Sequence, residues 1–203
     1  MSTSEARYAQ VKRVVDLALL AVVIPLVLPV MVLCAIAVAV QSPGPIFFSQ
    51  VRTGRDGTTF RMFKFRTMVR NADELKVKLQ HLNVMPLPDF KIINDPRITP
   101  VGKVLRATSM DELPQLWNVL RGDMSFVGPR PTSFASSTYD LWHTSRLEVR
   151  PGLTGLWQIR GRNSTTFDER LRLDMEYIRT MSFTNDIKIL LLTVGAVFRR
   201  AGH

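Results

Sequence analysis

The polarity pattern changes abruptly near residue 45. From Leu17 to Val40 the chain reads LALLAVVIPLVLPVMVLCAIAVAV without one charged position, which exceeds the roughly 20 residues needed to cross a bilayer core. Three readings compete for this run: a proline-kinked span, a cleaved signal peptide, and a helix that enters the membrane, breaks and returns. As a signal peptide it has Lys12-Arg13 as basic flank and Ala37-Val38-Ala39 as cleavage site, but its core is well beyond the usual ~7–15 residues. Pro25 and Pro29, four apart, fall on one side of a helix, and each removes a backbone donor, so a sharp bend is predicted there. Basic residues stand on both flanks, Lys12 and Arg13 before the run and Arg52, Arg55, Arg61, Lys64 and Arg66 after it. Both flanks therefore prefer the cytoplasm, which a re-entrant helix satisfies and a straight span does not. The carbonyls freed by the prolines then need protein partners, since lipid offers none.

Beyond residue 45 the pattern becomes that of a folded unit. Ile46 to Val51 and Thr59 to Phe65 place aromatic and β-branched residues at near-alternate positions around turn-rich Gly54 to Gly57, the pattern of a hairpin. Residues 71 to 82 read as a polar helix that ends before Pro86 and Pro88. NDPRITPVGKVLRATSM is a loop followed by a short helical turn. The C-terminal NDIKILLLTVGAVFRR is apolar with a basic end and suits a helix on the membrane surface or in the core. With no repeat and no low-complexity linker, the unit is built around residues 46 to 186. The predicted fold class is α+β, mostly helical, with a membrane helix over residues 1–45 and a cytoplasmic domain with membrane-surface helices over 46–203.

Charge narrows the partners. Lys plus Arg number 27 against 17 Asp plus Glu, a formal net charge of +10, which points to anionic membrane lipids, phosphorylated small molecules or polyanions. No aromatic platform or binding motif accompanies the charge, so nucleic acid is not expected as a partner. The single cysteine, Cys34, excludes an intrachain disulfide, and His81, His143 and His203 lack ligand spacing.

One stretch carries the chemistry, TSMDELPQLWNVLRGDMSFVGPRP, residues 108 to 131. Leu113, Leu116, Trp117 and Leu120 follow helical spacing, and Arg121-Gly122 is a stop. Asp111-Glu112 opens this helix. Ser109 to Glu112 matches a capping box, a purely structural explanation of the pair. Pro114, however, sits in the tolerated first turn only if Asp111 is at or near the cap. A carboxylate there, with Arg106 near it, stays ionised and can act as a nucleophile or a magnesium ligand. The nearby cations are Arg106, Arg121 and Arg130, and a guanidinium fork suits phosphate oxygens. In Gly128-Pro129-Arg130-Pro131 two prolines stiffen the backbone around one guanidinium. VRPGLTGLWQIRGRN adds Arg150, Arg160 and Arg162 among glycines, in no known phosphate-loop or dinucleotide pattern.

SMDELPQLWNVLRGDMSFVGPRP, with KRVVDL, FKFRTM, DPRITPVGKVLR and VRPGLTGLWQIRGRN, resembles the bacterial sugar transferases, the monotopic polyprenyl-phosphate phosphoglycosyl transferases, over about residues 12 to 198. The resemblance implies a monotopic protein on the cytoplasmic face of the bacterial inner membrane. It implies transfer of a sugar 1-phosphate, in the style of the exopolysaccharide members glucose or galactose 1-phosphate, from a UDP-sugar to undecaprenyl phosphate. The products are a lipid-linked diphosphate sugar and UMP, in the first membrane step of glycan assembly. It places the nucleophile at Asp111 and its partner at Glu112, with magnesium held by the pair, and lines the site with Arg106, Arg130 and Arg162. A covalent phosphosugar on Asp111 is implied as intermediate. Two departures stand out. Leu28-Pro29 replaces the small polar residue and proline of relatives, with Pro25 as an extra breaker. The long multi-span N-terminal region of larger members is missing, as in a minimal catalytic version or a trimmed form. A membrane phosphohydrolase, with water as acceptor, and a catalytically silent scaffold of a polysaccharide assembly complex are the competing functions. The C-terminal apolar helix offers a surface for a homodimer.

Overall fold

The computed structural model describes residues 3–84, 90–132, 144–160 and 167–201. It is mostly helical, with two small two-stranded sheets. Helix α1 runs through Thr3–Gln41, 39 residues, with both Pro25 and Pro29 inside it. The break expected at the prolines does not interrupt this helix, and the reason lies in packing. Leu20, Val23, Ile24 and Val27 pack into one apolar cluster, and Val30, Met31, Cys34, Ala35 and Val38 into a second. Burial on both sides of the prolines offsets the roughly 3 kcal/mol that each costs a helix interior. The same packing argues against a cleaved leader, because Cys34 and Val38 are core residues.

Strands β1 (Phe47–Thr53) and β2 (Thr59–Phe65) form the expected hairpin, in register from Phe47 opposite Phe65 to Thr53 opposite Thr59. Its turn uses left-handed backbone at Asp56 and Gly57. The polar helix is α2 (Ala72–Lys78), continued by a 3-10 turn Gln80–Leu82; the prolines expected to stop it lie outside the described residues. Helix α3 (Pro100–Thr108) is longer than the expected turn. Proline at N1 and the Thr99 side chain, which accepts from the Gly102 amide at 3.0 Å, start it. A 3-10 segment Met110–Gln115 leads into α4 (Leu116–Arg121), which Gly122 ends in left-handed backbone. Strands β3 (Ser125–Val127) and β4 (Gly152–Thr154) pair in parallel. Three helices follow, α5 (Leu156–Arg160), α6 (Phe167–Arg179) and α7 (Phe183–Ala201).

Both ends of α1 are tied to this body. Arg13 donates to the Val119 and Leu120 carbonyls at the end of α4, at 2.5 and 2.8 Å. Asp16 accepts from the Ser125 hydroxyl and the Phe126 amide. At the other end the Gln41 side chain accepts from the Val101 amide, and buried Arg66 donates to the Ser42 and Pro43 carbonyls. The outer face of α1 is apolar and open, with Val22, Leu26, Leu33 and Val40 exposed, and Leu191, Leu192 and Val194 of α7 are exposed likewise. The basic residues flanking the apolar run thus bind protein: Lys12 pairs with Asp186, and Lys64 with Glu112.

Candidate active site

The acidic pair sits where three elements meet: the end of β2, the 3-10 segment and the turn after β3. Ser109 adopts left-handed backbone and makes no side-chain cap, so the capping box does not form. Instead the Glu112 amide donates to the Ser109 carbonyl at 3.2 Å. The 3-10 pitch also rotates the following stripe. Leu116 is buried, but Trp117 and Leu120 point outward, and the buried positions are Gln115, Asn118 and Val119. Asn118 explains why an amide belongs there: it accepts from the Phe63 amide at 3.1 Å and donates to the Arg61 carbonyl at 2.7 Å, acting as a neighbour strand for β2. This stitch fixes the height at which Lys64 projects beside the dyad.

The two carboxylates are unlike. Glu112 accepts from Lys64 Nζ at 2.6 Å and from the Arg130 fork, at 2.5 Å to Oε1 and 3.4 Å to Oε2. Burial alone raises its pKa, but Arg130 and Lys64 together hold it well below the ordinary carboxylate range. Asp111 is 8 % exposed, and among the described residues its carboxylate has no hydrogen-bond or ion-pair partner. Burial pushes its pKa up, reinforced by the Glu112 charge and opposed by Lys64, Arg106 and Arg130. Lys64 has its own pKa lowered by burial, with Glu112 opposing. An aspartate kept basic and unpaired beside three cations is suited to attack an electron-poor phosphorus.

Arg106 donates from Nε to the Thr67 hydroxyl at 2.8 Å. With Arg130 it lines a cleft of about 560 Å³ whose other walls include Lys76, Arg97, Arg146, Trp157 and Arg170. A polar, cationic cleft of this size accommodates a phosphorylated ligand. Arg121 does not join the site; it faces Asp123 at 3.5 Å. Arg160 pairs with Glu176 in the open. Arg162 lies outside the described residues. Sequence reasoning missed Lys64, Arg146 and Asp174. Lys64 could have been found from FKFRTM, where it alternates with the buried Met62 and Arg66 and so shares their strand face.

For magnesium the donor set is short. Among the described residues no group of three or more His, Cys, Asp or Glu side chains is placed to hold a metal. That is compatible with an ion that takes one or two carboxylates and completes its shell with substrate phosphates and water. Asp111 has oxygens available for it, while those of Glu112 are engaged by Lys64 and Arg130.

A helical body with a long apolar helix, in which the arginine that clamps a buried acidic dyad also lines a cationic cleft, is suited to phosphorylated ligands. The chain belongs to the bacterial sugar transferase family, whose pattern it matches over residues 7–200. It is 50 % identical to the galactosyl transferase CpsE of Streptococcus agalactiae over 78 % of this chain and 36 % of that protein. It is 42 % identical to a UDP-glucose:undecaprenyl-phosphate glucose-1-phosphate transferase of Caulobacter vibrioides, over 92 % of this chain and 69 % of that protein. Identity to the exopolysaccharide production protein ExoY of Rhizobium meliloti is 39 %, over 92 % of this chain and 84 % of that protein. The chain thus spans about a third of the length of CpsE and most of that of ExoY.

Proposed function

We propose that this protein transfers a hexose 1-phosphate, glucose or galactose, from a UDP-sugar to undecaprenyl phosphate at the cytoplasmic face of the bacterial inner membrane. The observation that carries the reading is the asymmetry of the dyad, with Glu112 clamped by Lys64 and Arg130 and Asp111 left unpaired. Names of relatives that act on UDP-glucose or on undecaprenyl phosphate support the substrate classes.

In this mechanism an Asp111 oxygen attacks the sugar-bearing phosphorus, the bond to the bridging oxygen breaks, and UMP leaves with that electron pair. An oxygen of the lipid phosphate then attacks the same phosphorus and releases the Asp111 carboxylate. Glu112 keeps Arg130 and Lys64 in place, so that two cations face the diphosphate at low reorganisation cost. Arg106 lies across the cleft as a third cation, and Arg162 is proposed as a fourth. Asp111, beside Glu112, would hold a magnesium ion together with the substrate, and the ion would supply charge neutralisation on the diphosphate and leaving group.

The membrane arrangement proposed is monotopic. A straight span would separate the ends of α1 by a hydrocarbon core of roughly 30 Å. Both ends instead bond to one polar body, and apolar side chains between them pack on that body along the helix. A helix lying within one leaflet, its open face in lipid, satisfies both facts. Residues 1–45 then form the membrane part and 46–203 the catalytic part, and α7 rests on the surface and can pair in a homodimer.

The test is UMP release by purified protein in nanodiscs with magnesium, undecaprenyl phosphate and a panel of UDP-sugars. Lipid-dependent UMP from one sugar is expected. UMP formed equally without lipid would make the protein a phosphohydrolase, and silence across the panel with folded protein would favour a scaffold.

A further inference from the structure

The turn Gly128-Pro129-Arg130-Pro131 presents the guanidinium that clamps Glu112, and its two prolines cannot donate. Arg130 therefore owns the only amide hydrogen from Pro129 to Pro131. Gly128 donates to the Thr154 carbonyl at 2.9 Å, and the Pro129 carbonyl accepts from the Gly152 amide at 2.8 Å. This ladder is tight: a Cβ on Gly128 would meet the Arg150 carbonyl oxygen at 2.6 Å, and one on Gly152 the Gly128 nitrogen at 2.1 Å. One residue further on the strand pairing ends, and a single ion pair takes over. The Arg130 carbonyl accepts from Arg146 Nη2 at 2.6 Å, and the same nitrogen donates to Asp174 Oδ2 at 2.7 Å. Arg146 and Asp174 are 6 % and 2 % exposed, and both line the cleft.

A buried ion pair is not in itself stabilising relative to apolar packing. Here the Arg130 carbonyl is bonded to it, and its two members come from elements distant in sequence. We propose that Arg146 and Asp174 are positioning residues for the reaction, fixing the Arg130 peptide so that its fork meets Glu112 and the substrate phosphate. This inference rests on the transferase reading. Asp174 acts through Arg130 and touches no reacting atom. Loss of its charge frees Arg146 from its anchor and lets the Arg130 peptide rotate, and misplacement of about 1 Å in such a group costs on the order of 10²-fold in rate. Burial pushes the Asp174 pKa up to about 7, against the opposing charges of Arg146 and of Arg170 on its own helix. The anchored, ionised form therefore gains population as pH rises through neutrality.

The test is a mutant cycle in the full chain, Asp174→Asn in the wild-type and in the Arg130→Lys backgrounds, read as kcat and KM for UMP release and as UDP affinity by calorimetry. The expected result is a loss of at least about tenfold in kcat in the wild-type background and almost none in Arg130→Lys, with the same lowering of Tm in both. The wild-type rate is expected to show a limb near pH 7 that the variant lacks. Equal losses in both backgrounds, or no loss in either, would overturn the proposal. Arg146→Lys, which keeps the charge but not the planar fork, repeats the cycle should Asp174→Asn fail to fold. A wild-type protein that releases no UMP would count against the transferase reading alone, and the cycle would then be decided by UDP affinity.

Discussion

The acidic dyad at Asp111 and Glu112 and the base of α1 around Asp186 are both clusters of buried charge, and they use it oppositely. At the base, Asp186 Oδ2 accepts from Tyr8 at 3.0 Å and from Lys12 at 2.5 Å, and Oδ1 accepts from Tyr177 at 2.8 Å. The Tyr177 hydroxyl lies 3.2 Å from the Val127 carbonyl as well. Every oxygen of that carboxylate is satisfied, and burial with the Asp186 charge drives both tyrosine pKa values up, so the phenols stay protonated as donors. In the dyad, only Glu112 is satisfied, and Asp111 is left with burial and no bond among the described residues. Complete satisfaction makes a joint, whereas deliberate incompleteness makes a reagent.

The sharpest way to break the contrast is Asp111→Asn. Turnover is expected to fall by at least about 10³-fold, with membrane association unchanged, as measured by single-turnover UMP release and flotation. Stability should move the other way. With its folded pKa raised, Asp111 contributes stability that is present below the ordinary aspartate range and lost as pH rises through the raised value. Asp111→Asn is therefore expected to gain Tm relative to wild type at neutral pH and much less near pH 4.

Asp186→Ala should invert that profile. It leaves part-buried Lys12 without its anion and two phenols without their acceptor, at a cost of about 3 kcal/mol read by denaturation in detergent, with UMP release expected to persist. If Asp186→Ala left stability intact, the joint would not be one. Arg130→Lys is expected to lower kcat by roughly 10- to 100-fold with little change in Tm, because a point charge does not replace a fork on Glu112. At the small end, Arg160→Ala removes an exposed pair with Glu176 and should cost under about 0.5 kcal/mol with no change in UMP release.

Much of this was legible in the residues, and the limits have physical causes. Alternation marked the hairpin, and composition marked α1 and α7, because those signals are local. The dyad, Arg106 and Arg130 were legible because their chemistry sits within 25 residues. The outward turn of Trp117 was not, since a 3-10 segment and an α-helix share apolar spacing but not pitch. Lys64 was taken as a membrane flank because charge is visible in a sequence and its partner is not. Asp186 and Asp174 were invisible for the same reason: their partners lie 9 to 178 residues away. The prolines of α1 predicted a break from local sterics that tertiary packing overrode.

The joint at Asp186 also has a consequence in time. Tyr8 and Lys12 are synthesised 178 and 174 residues before their acceptor. At about 5–20 residues per second the wait is roughly ten to thirty-five seconds. Throughout that interval α1 lacks α7, while the partners of its two apolar clusters, from Met62 to Leu156, are made one after another. The joint at Asp186 thereby closes after most of these contacts, and α7 locks a helix already seated on the hairpin, α3 and α4.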